Sequence, residues 1–442
     1  MPAADQRPSA DFWLYFAGRF ISDLGSAFTA FAIPLLIFTK TGSSVGLGLS
    51  LAVSLLPYLL FGFVAGAVVD RVDRRSLMIG VDLARAALLV SLPLIALGDE
   101  LNLVWIYVVA FLGSTLQIPF TAGQFASVTH LVGKDHLVTA NARLQGATSL
   151  AQIAGPVLAG LAVATLPVVD LLLIDAATFA LSAASLALIR STFNDARPPG
   201  EGPRRVAVLL RTLRADIREG LAYVWHNPLL RSIAVTMAVV NLFASTTLAQ
   251  LVFYAKRQLS VGNGQVSLMF AAGAAGVVLV SLSAGRLRHI RLGVILVASL
   301  ALNGLTVVGL GLTTNYAVAI VLWAVNSAVS VLFNISTMTL RQRIVPDRLL
   351  GRVMTVSMVL AWSVIPVGAL AGGFVVERAG IGPVLVGIGV VIAMTAAVTA
   401  GSPLGRARLA SDEPAAPPQT APPQTAPGDA NETVSGGRTT RE

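Results

Sequence analysis

The stretch GAVVDRVDRRSLMI (Gly66–Ile79) places two aspartates and three arginines between two long apolar runs. Each run has about the 20 apolar residues that a helix needs to cross the hydrocarbon core of a bilayer. Charged side chains are costly in that core, so such a cluster marks a place where the chain leaves the membrane, turns and re-enters it. The stretch therefore predicts a polytopic membrane protein, in which short charged loops connect apolar helices.

The composition of the whole chain supports this class. Of its 442 residues, 55% are hydrophobic and 12% are charged, and the mean hydropathy is +0.77. A soluble domain carries roughly 25% charged residues, so most of this chain avoids water. The sequence contains no cysteine, which excludes a disulfide framework and cysteine-based metal or redox chemistry. The net charge of +9 does not indicate a nucleic-acid partner, because the basic residues lie in loops between apolar segments.

Reading the chain for apolar runs of spanning length predicts twelve transmembrane helices. Their approximate limits are 12–39, 45–69, 77–97, 103–127, 144–168, 170–190, 231–254, 264–285, 291–313, 316–340, 352–376 and 381–400. Lysine and arginine indicate the orientation, because they are enriched in cytoplasmic loops. Of the 31 such residues, 25 lie at the N-terminus, after even-numbered segments or in the C-terminal tail, four lie after odd-numbered segments, and Arg19 and Arg85 lie inside spans. This asymmetry predicts that both termini are cytoplasmic, which requires an even number of helices.

A polar connection divides the predicted helices into two sets of six. We expect an N-terminal six-helix bundle over 1–190, a cytoplasmic linker over 191–230, a C-terminal six-helix bundle over 231–400 and a disordered tail over 401–442. The linker contains VAVLLRTLRADIREGLAYVW, whose apolar residues recur every three or four positions, as in an amphipathic helix on the membrane surface. The tail contains APPQTAPPQTAP, which cannot bury enough apolar surface to offset the entropy of ordering.

The two halves carry a weak internal repeat. A shift of 212 residues aligns Asp135 with Asp347, and the same shift aligns Leu158-Ala159-Gly160 with Leu370-Ala371-Gly372. Duplicated halves are typical of secondary transporters, in which the binding site lies between the halves near the middle of the bilayer. The repeat therefore favours a transporter.

Three features give the chain its resemblance to a known family. They are the opening loop with its pattern Gly66-x-x-x-Asp70-Arg71-x-x-Arg74-Arg75, the segment GPVLAG (Gly155–Gly160), and REGLAYVWHNPLLR (Arg218–Arg231). Over about residues 12–400 the chain resembles the major facilitator superfamily, in the branch of drug and siderophore exporters that includes enterobactin and macrolide exporters. The resemblance implies an all-α integral membrane fold, with twelve transmembrane helices in two pseudo-symmetric six-helix bundles.

The resemblance also implies a cytoplasmic gate. A carboxylate at Asp70 can accept hydrogen bonds from the free N–H groups that begin helix eleven, near Gly351, and Arg352 can add a charge-assisted bond. The contact would hold the halves together on the cytoplasmic side. The alternative is that the cluster only marks topology, for which its arginines suffice. The residues assigned to the gate are Gly66, Asp70, Arg71, Arg74, Arg75, Asp82, Arg85 and Arg352.

Two departures from the family pattern affect this assignment. Asp73 occupies a position that is often glycine, and the sequence suggests no role for it. The equivalent loop of the second half, AGRLRHIRLG (Ala284–Gly293), contains no acidic residue. A latch in the second half would therefore be weaker.

The segment GPVLAG resembles the antiporter motif of the family, through Gly155, Pro156 and Gly160. Proline removes a helix hydrogen bond and bends the axis, and glycines let a second helix approach closely. In the family, this motif marks exporters that exchange substrate for an ion, usually protons. The alternative is a kinked helix without a coupling role.

Ionisable residues inside spans are candidates for coupling protons to conformation. Asp23 lies about eleven residues into helix one, or roughly 16 Å along its axis, and Arg19 lies one turn earlier on the same face. Opening of this pair would let the carboxylate accept a proton; the alternative is a permanent structural pair. Asp175, near the predicted external start of helix six, is a further candidate, whereas Asp170 is expected to be structural.

The substrate cavity should be apolar, with scattered amide and aromatic groups. Few charges lie within the spans, which favours a bulky amphipathic substrate over a strongly anionic or sugar-like one. Each candidate could equally bond a neighbouring helix. The candidates are Gln117, Gln145, Gln152, Asn241, Gln250, Asn326, Phe333, Asn334 and Trp362.

The sequence contains no Walker A motif, no HExxH motif and no convincing nucleophile arrangement. We therefore expect neither an enzyme nor a bound cofactor or metal, and ATP is not the energy source. The sequence predicts a monomeric exporter of a hydrophobic or amphipathic small molecule in a bacterial plasma membrane, exchanging protons by alternating access. Two alternatives stay open, a siderophore exporter and a lipid or lysophospholipid flippase. A non-transporting sensor is a third reading, but it would need a structured tail domain.

Overall fold

The computed structural model describes residues 10–69, 72–98, 100–132, 136–191, 193, 218–283, 286 and 290–405. The regular structure of these residues is helical throughout, which confirms the predicted all-α fold. The first six helices are α1 (Ala10–Thr41), α2 (Ser44–Val69), α3 (Arg74–Ala96), α4 (Leu103–Val132), α5 (Leu137–Ala162) and α6 (Leu171–Leu188). A helical segment over 218–226 precedes the remaining eight helices of the described chain. These are α7 (Pro228–Ala249), α8 (Leu251–Arg257), α9 (Asn263–Ser283), α10 (Leu292–Leu312), α11 (Tyr316–Ile344), α12 (Asp347–Trp362), α13 (Val364–Ala379) and α14 (Ile381–Gly401).

Eleven helical stretches in the described part of the chain are long and apolar enough to cross a membrane. They correspond to the predicted spans except the fifth, which is α5. This helix has 26 residues, so it is long enough to span, but polar residues along it lower its hydropathy. Polar residues near its beginning also interrupt the apolar pattern, so the pattern predicted a start near 144, whereas the helix starts at Leu137. The polar residues are Asn141, Arg143, Gln145 and Gln152.

The eleventh predicted span consists of two helices, because α12 ends at Trp362 and α13 begins at Val364. Pro366 has no N–H to donate to the carbonyl of Trp362, so the regular hydrogen-bond ladder cannot continue through this point. The seventh predicted span is divided in the same way, into α7 and α8, at Gln250. Both breaks lie in helices that face the other half of the chain.

Helix packing follows one pattern twice. In the first half, α1 packs on α5 and α6, α3 packs on α4 and α6, and α2 packs on α4. In the second half, α7 packs on α13 and α14, α10 packs on α11 and α14, and α9 packs on α11. The two halves meet where α2 packs on α13 and where α5 packs on α9. The duplicated pairing agrees with the weak sequence repeat.

Glycines bring the halves into close contact at the end of the molecule that carries the α1–α2 connection, here called the outer end. A Cβ atom at Gly48 would lie 2.3 Å from the carbonyl oxygen of Ala369, and one at Gly373 would lie 2.8 Å from the carbonyl oxygen of Ser44. Real Cβ atoms do not approach so closely, so α2 and α13 can touch here only through glycine. The opposite end, with the α2–α3 connection, is called the inner end.

The α2–α3 connection begins α3 with a helix cap. The side chain of Asp73 accepts a hydrogen bond from the backbone N–H of Ser76 at 2.7 Å, which satisfies one of the free donors of the first turn. Arg75 donates through Nε to the carbonyl oxygen of Leu186 at 2.8 Å, at the end of α6. Cations favour such helix C-termini. Asp73, for which the sequence suggested no role, therefore defines the start of α3.

Replacing Asp73 by alanine should weaken the first turn of α3 by about 1 kcal/mol, because the N–H of Ser76 loses its acceptor. Exchange of the Ser76 amide hydrogen should then become roughly fivefold faster, while Asp73→Ser should retain slow exchange. Donation from Ser76 holds the pKa of Asp73 below its ordinary value. The wild-type cap is therefore present at neutral pH and is lost as the pH falls through that lowered pKa. Equal exchange in all three proteins would contradict the cap.

Candidate functional site

Two adjoining cavities of about 450 and 670 Å³ lie between the halves. Their volumes lie in the range of small-molecule sites, about 300–1,000 Å³, which are mostly apolar with a few placed polar groups. Helices α1 to α6 supply most of the walls, and α7, α8 and α9 supply the remainder. Residues shared by both cavities include Ser26, Tyr58, Arg85, Gln117, Leu248 and Phe270.

The predicted pair on α1 lines the larger cavity. A guanidinium nitrogen of Arg19 lies 2.9 Å from Oδ1 of Asp23, and the two side chains are 16% and 11% exposed. Thr148 on α5 donates to Oδ2 of Asp23 at 2.7 Å. The guanidinium of Arg19 also lies 5.5 Å from the ring centroid of Phe120. Both oxygens of this carboxylate thus have partners that stabilise its charged form.

Asp175 lines the smaller cavity and is 1% exposed. The hydroxyl group of Thr29 donates to Oδ2 of Asp175 at 2.5 Å, and the hydroxyl group of Thr178 lies 3.1 Å from Oδ1 and 2.7 Å from the backbone carbonyl oxygen of Asp175. A Cβ atom at Gly25 would lie 2.6 Å from Oδ1 of Asp175, so α1 approaches α6 closely here. Because α6 begins at Leu171, close to the predicted start, Asp175 lies one turn inside the helix, where it lines the cavity.

Arg85 and Asp82 lie three residues apart on α3 but have different surroundings. Arg85 lines both cavities, and its guanidinium lies 3.9 Å from the ring centroid of Phe179. Asp82 is 0% exposed, and neither of its carboxylate oxygens has a hydrogen-bond partner. The sequence grouped both with the cytoplasmic gate. The structure places Arg85, near the middle of α3, on the wall of the smaller cavity that Asp175 also lines.

The antiporter-like motif packs α5 against two other helices. A Cβ atom at Gly155 would lie 2.2 Å from the Cβ atom of Ala27 on α1, and one at Gly160 would lie 1.7 Å from the hydroxyl oxygen of Ser267 on α9. Pro156 lines the larger cavity. The motif therefore joins the cavity wall to the outer contact between the halves.

The structure brings two of the nine cavity candidates to the cavity walls, Gln117 and Gln152. Several others join helices, as the alternative reading allowed. Asn241 donates to the carbonyl oxygen of Ala361 at 2.8 Å, and Gln250 donates to that of Ser44 at 2.8 Å. Asn326 donates to Thr306 at 3.1 Å, and Phe333 is buried. Gln145, Asn334 and Trp362 are exposed side chains.

The gate residues are only partly described. Asp70 and Arg71 lie outside the described residues, and Gly66 lies within α2. Arg74 donates to the carbonyl oxygen of Phe193 at 3.1 Å. Arg352 forms an ion pair with Glu219 in the segment 218–226, so the family-like entry to the second half contacts α12. The sequence did not single out Glu219.

A carboxylate at the outer end is a further functional residue that was not predicted from the sequence. Glu377, near the end of α13, accepts hydrogen bonds from the backbone N–H of Ser44 at 3.1 Å and from its hydroxyl group at 2.7 Å. The hydroxyl group of Ser43 lies 3.3 Å from the same oxygen. Ser44 begins α2, so a carboxylate of the second half caps a helix of the first. The signal in the sequence was an acidic residue where span eleven ends.

Comparison with known proteins gives the relatives of this chain. The macrolide efflux protein A of Streptococcus pyogenes is 25% identical, over 84% of this chain and 90% of that protein. The enterobactin exporter EntS of Citrobacter koseri is 25% identical, over 76% of this chain and 78% of that protein. The multidrug efflux pump Tap of Mycolicibacterium fortuitum is 29% identical, over 50% of this chain and 53% of the pump.

Solved structures share the fold. The nucleoside transporter NupG has a TM-score of 0.70 at 12% identity, over 89% of this chain and 99% of NupG. A bacterial homologue of the iron transporter ferroportin in an inward-facing state has a TM-score of 0.65 at 14% identity, over 89% of this chain and 99% of that chain. The profile of the transmembrane secretion effectors matches residues 8–426. The chain therefore belongs to the transmembrane secretion effector family, within the major facilitator superfamily of membrane transporters.

Proposed function

We propose that this protein is a secondary active exporter of a hydrophobic or amphipathic small molecule, which it exchanges for protons by alternating access. It acts as a monomer in a bacterial plasma membrane, with both termini in the cytoplasm. The observation that carries the proposal is the largely apolar cavity between the halves, which holds few charged groups and lies beneath a tightly packed outer end. The efflux activity named for its relatives agrees with this direction of transport.

The substrate class follows from the cavity lining. Aliphatic side chains and the rings of Phe179 and Phe270 offer apolar surface, and Tyr58 and Gln117 offer polar contacts. Such a lining suits a bulky drug or secondary metabolite. A siderophore is the second candidate, because enterobactin exporters are among the relatives.

Coupling is assigned to the ionisable groups on the cavity walls. The Arg19–Asp23 pair and Asp175 border the space that the substrate enters. Charges so deep in a membrane protein are maintained for ion or proton pathways. Substrate entry would change the solvation of these groups, and this links binding to protonation.

Transport by reconstituted protein tests the proposal. Proteoliposomes should accumulate the permanent cation ethidium or a macrolide when a pH gradient is imposed, and an uncoupler should abolish the accumulation. A catecholate siderophore and a fluorescent lipid, offered in parallel, distinguish the siderophore exporter and the flippase. Movement of the lipid alone, or of none of these compounds, would overturn the proposed function.

Alternating access predicts a gate role for Glu377. Replacing Glu377 by alanine removes the acceptor for Ser44, which should cost the outer contact about 1–2 kcal/mol and raise its open population roughly 5- to 30-fold. The chain has no cysteine, so Ser26→Cys gives a single label in the cavity wall. An impermeant maleimide applied from outside should modify this label faster in Glu377→Ala.

The matched control for this measurement is Arg378→Ala, which removes a neighbouring exposed charge. Its labelling rate should equal that of the protein with Glu377 and Arg378 intact. Equal rates in both alanine variants would show that Glu377 does not hold the outer end closed.

A further inference from the structure

We propose that Asp82 binds the exchanged proton. Arg85 lies on the cavity wall when Asp82 is protonated and pairs with Asp82 when the proton is lost. This inference rests on the proposed function and adds the place where the proton resides. Asp82 lies on α3, and Arg85 lies three residues later, within reach along the same helix face.

The surroundings of the three carboxylates within the spans, Asp23, Asp82 and Asp175, separate their roles. Asp23 has an arginine and a threonine hydroxyl as partners, and Asp175 has two threonine hydroxyls. Asp82 has no hydrogen-bond partner on either oxygen. A charged carboxylate without partners costs far more in a low-dielectric interior than the neutral acid does. The absence of hydrogen-bond partners therefore favours the neutral, protonated form of Asp82 in this conformation.

The groups around Asp82 come from three helices. Arg85 lies on its own helix, Asp175 and the hydroxyl group of Ser182 lie on α6, and Arg19 lies on α1. The hydroxyl group of Tyr15, also on α1, is buried without a hydrogen-bond partner. Tyr107 of α4 is occupied elsewhere, because it donates to the carbonyl oxygen of Gly46 at 3.0 Å. Of the two cations near Asp82, Arg85 lies on the same helix, so it is the one best placed to pair with the charged form of Asp82.

Arg85 connects this proton to the cavity. Its guanidinium now lies over Phe179 on the cavity wall. When Asp82 loses its proton to water in the cavity, the carboxylate and the guanidinium attract each other along the helix, and Arg85 leaves the wall. The proton balance is simple, since the O–H bond of Asp82 breaks and an ion pair with Arg85 replaces it.

This exchange fixes the charge of the preferred substrate. With Asp82 protonated, Arg85 stays on the cavity wall near Asp175, and its positive charge disfavours a cationic substrate. Arrival of a cationic amphipath from the inner end favours withdrawal of Arg85 to Asp82 and expels the proton. Substrate and proton therefore exclude each other, as antiport requires. An anionic substrate would bind together with the proton, so the arrangement selects cationic or neutral amphipaths.

Infrared spectroscopy of the reconstituted full-length protein tests the site without any substrate. The carbonyl stretching band of a protonated carboxyl group should be present at neutral pH and lost in Asp82→Asn. The matched variant Asp23→Asn should keep the band, and Asp82→Glu should keep it at a shifted position. Absence of the band from the unmodified protein, or its persistence in Asp82→Asn, would overturn the proposal.

Addition of ethidium tests the coupling. The unmodified protein should lose the band and release protons to a pH indicator, while Asp82→Asn should bind ethidium without releasing protons. Ethidium binding that leaves the band in place would overturn the link through Arg85. A protein that shows the band but transports no compound would instead refute the proposed function, so the two failures are distinguishable.

Discussion

Replacing Gly160 by leucine should reduce export to the background rate. A Cβ atom at this position would lie 1.7 Å from the hydroxyl oxygen of Ser267 and 2.7 Å from its Cβ atom. A leucine adds three further carbon atoms where α5 meets α9, and overpacking of this kind costs about 1–3 kcal/mol or more. The halves cannot then close at the outer end, so the cycle stops with the cavity open to the outside.

The same helix supplies a matched control. A Cβ atom at Gly146 would meet nothing within 4 Å, so Gly146→Leu should export at a rate close to that of the unmodified protein. Labelling of Ser26→Cys from outside should rise in Gly160→Leu and stay low in Gly146→Leu. Equal export by the two leucine variants would show that the contact between α5 and α9 does not form during transport.

Replacing Asp23 by asparagine should abolish export driven by a pH gradient. The asparagine keeps the shape but leaves Arg19, which is 16% exposed, without its ion-pair partner. Removing one member of a buried pair costs several kcal/mol; because this pair borders the cavity, we expect about 2 kcal/mol of lost stability. The midpoint of thermal unfolding in detergent should fall accordingly.

The double variant Arg19→Gln, Asp23→Asn separates stability from coupling. It removes both charges, so the unfolding midpoint should return toward that of the unmodified protein. Gradient-driven export should stay absent, because the charges that link the cavity to conformation are gone. Restored export in the double variant would assign the pair a purely structural role.

The sequence predicted the spans well because apolar runs of bilayer length have few other interpretations. It failed for the start of α5, where Asn141 and Arg143 interrupt the apolar pattern although the helix continues through them. It also could not show that spans seven and eleven consist of two helices each. The break at Ser363 depends on a proline whose effect varies with the helices around it.

The candidate site was only partly predictable, for a different physical reason. The pair of Arg19 and Asp23 followed from their spacing, since residues four apart share a helix face. Asp175 and Arg85 lie on different helices, and no local pattern shows that both line one cavity. The same limit applies to Glu377 and Ser44, which are far apart in sequence yet form a helix cap. The cap at Asp73 is predictable from the sequence, because an aspartate directly before an apolar helix is a common cap.

The most direct test of proton antiport uses an ethidium gradient, and not a pH gradient, as the driving force. Proteoliposomes with equal pH on both sides receive an ethidium gradient, and an entrapped pH-sensitive dye follows proton movement. Ethidium flowing out should drive protons in, so the lumen becomes acidic, and Asp82→Asn should show no pH change. Ethidium flux without proton movement, or with protons moving in the same direction, would contradict the exchange of substrate for protons.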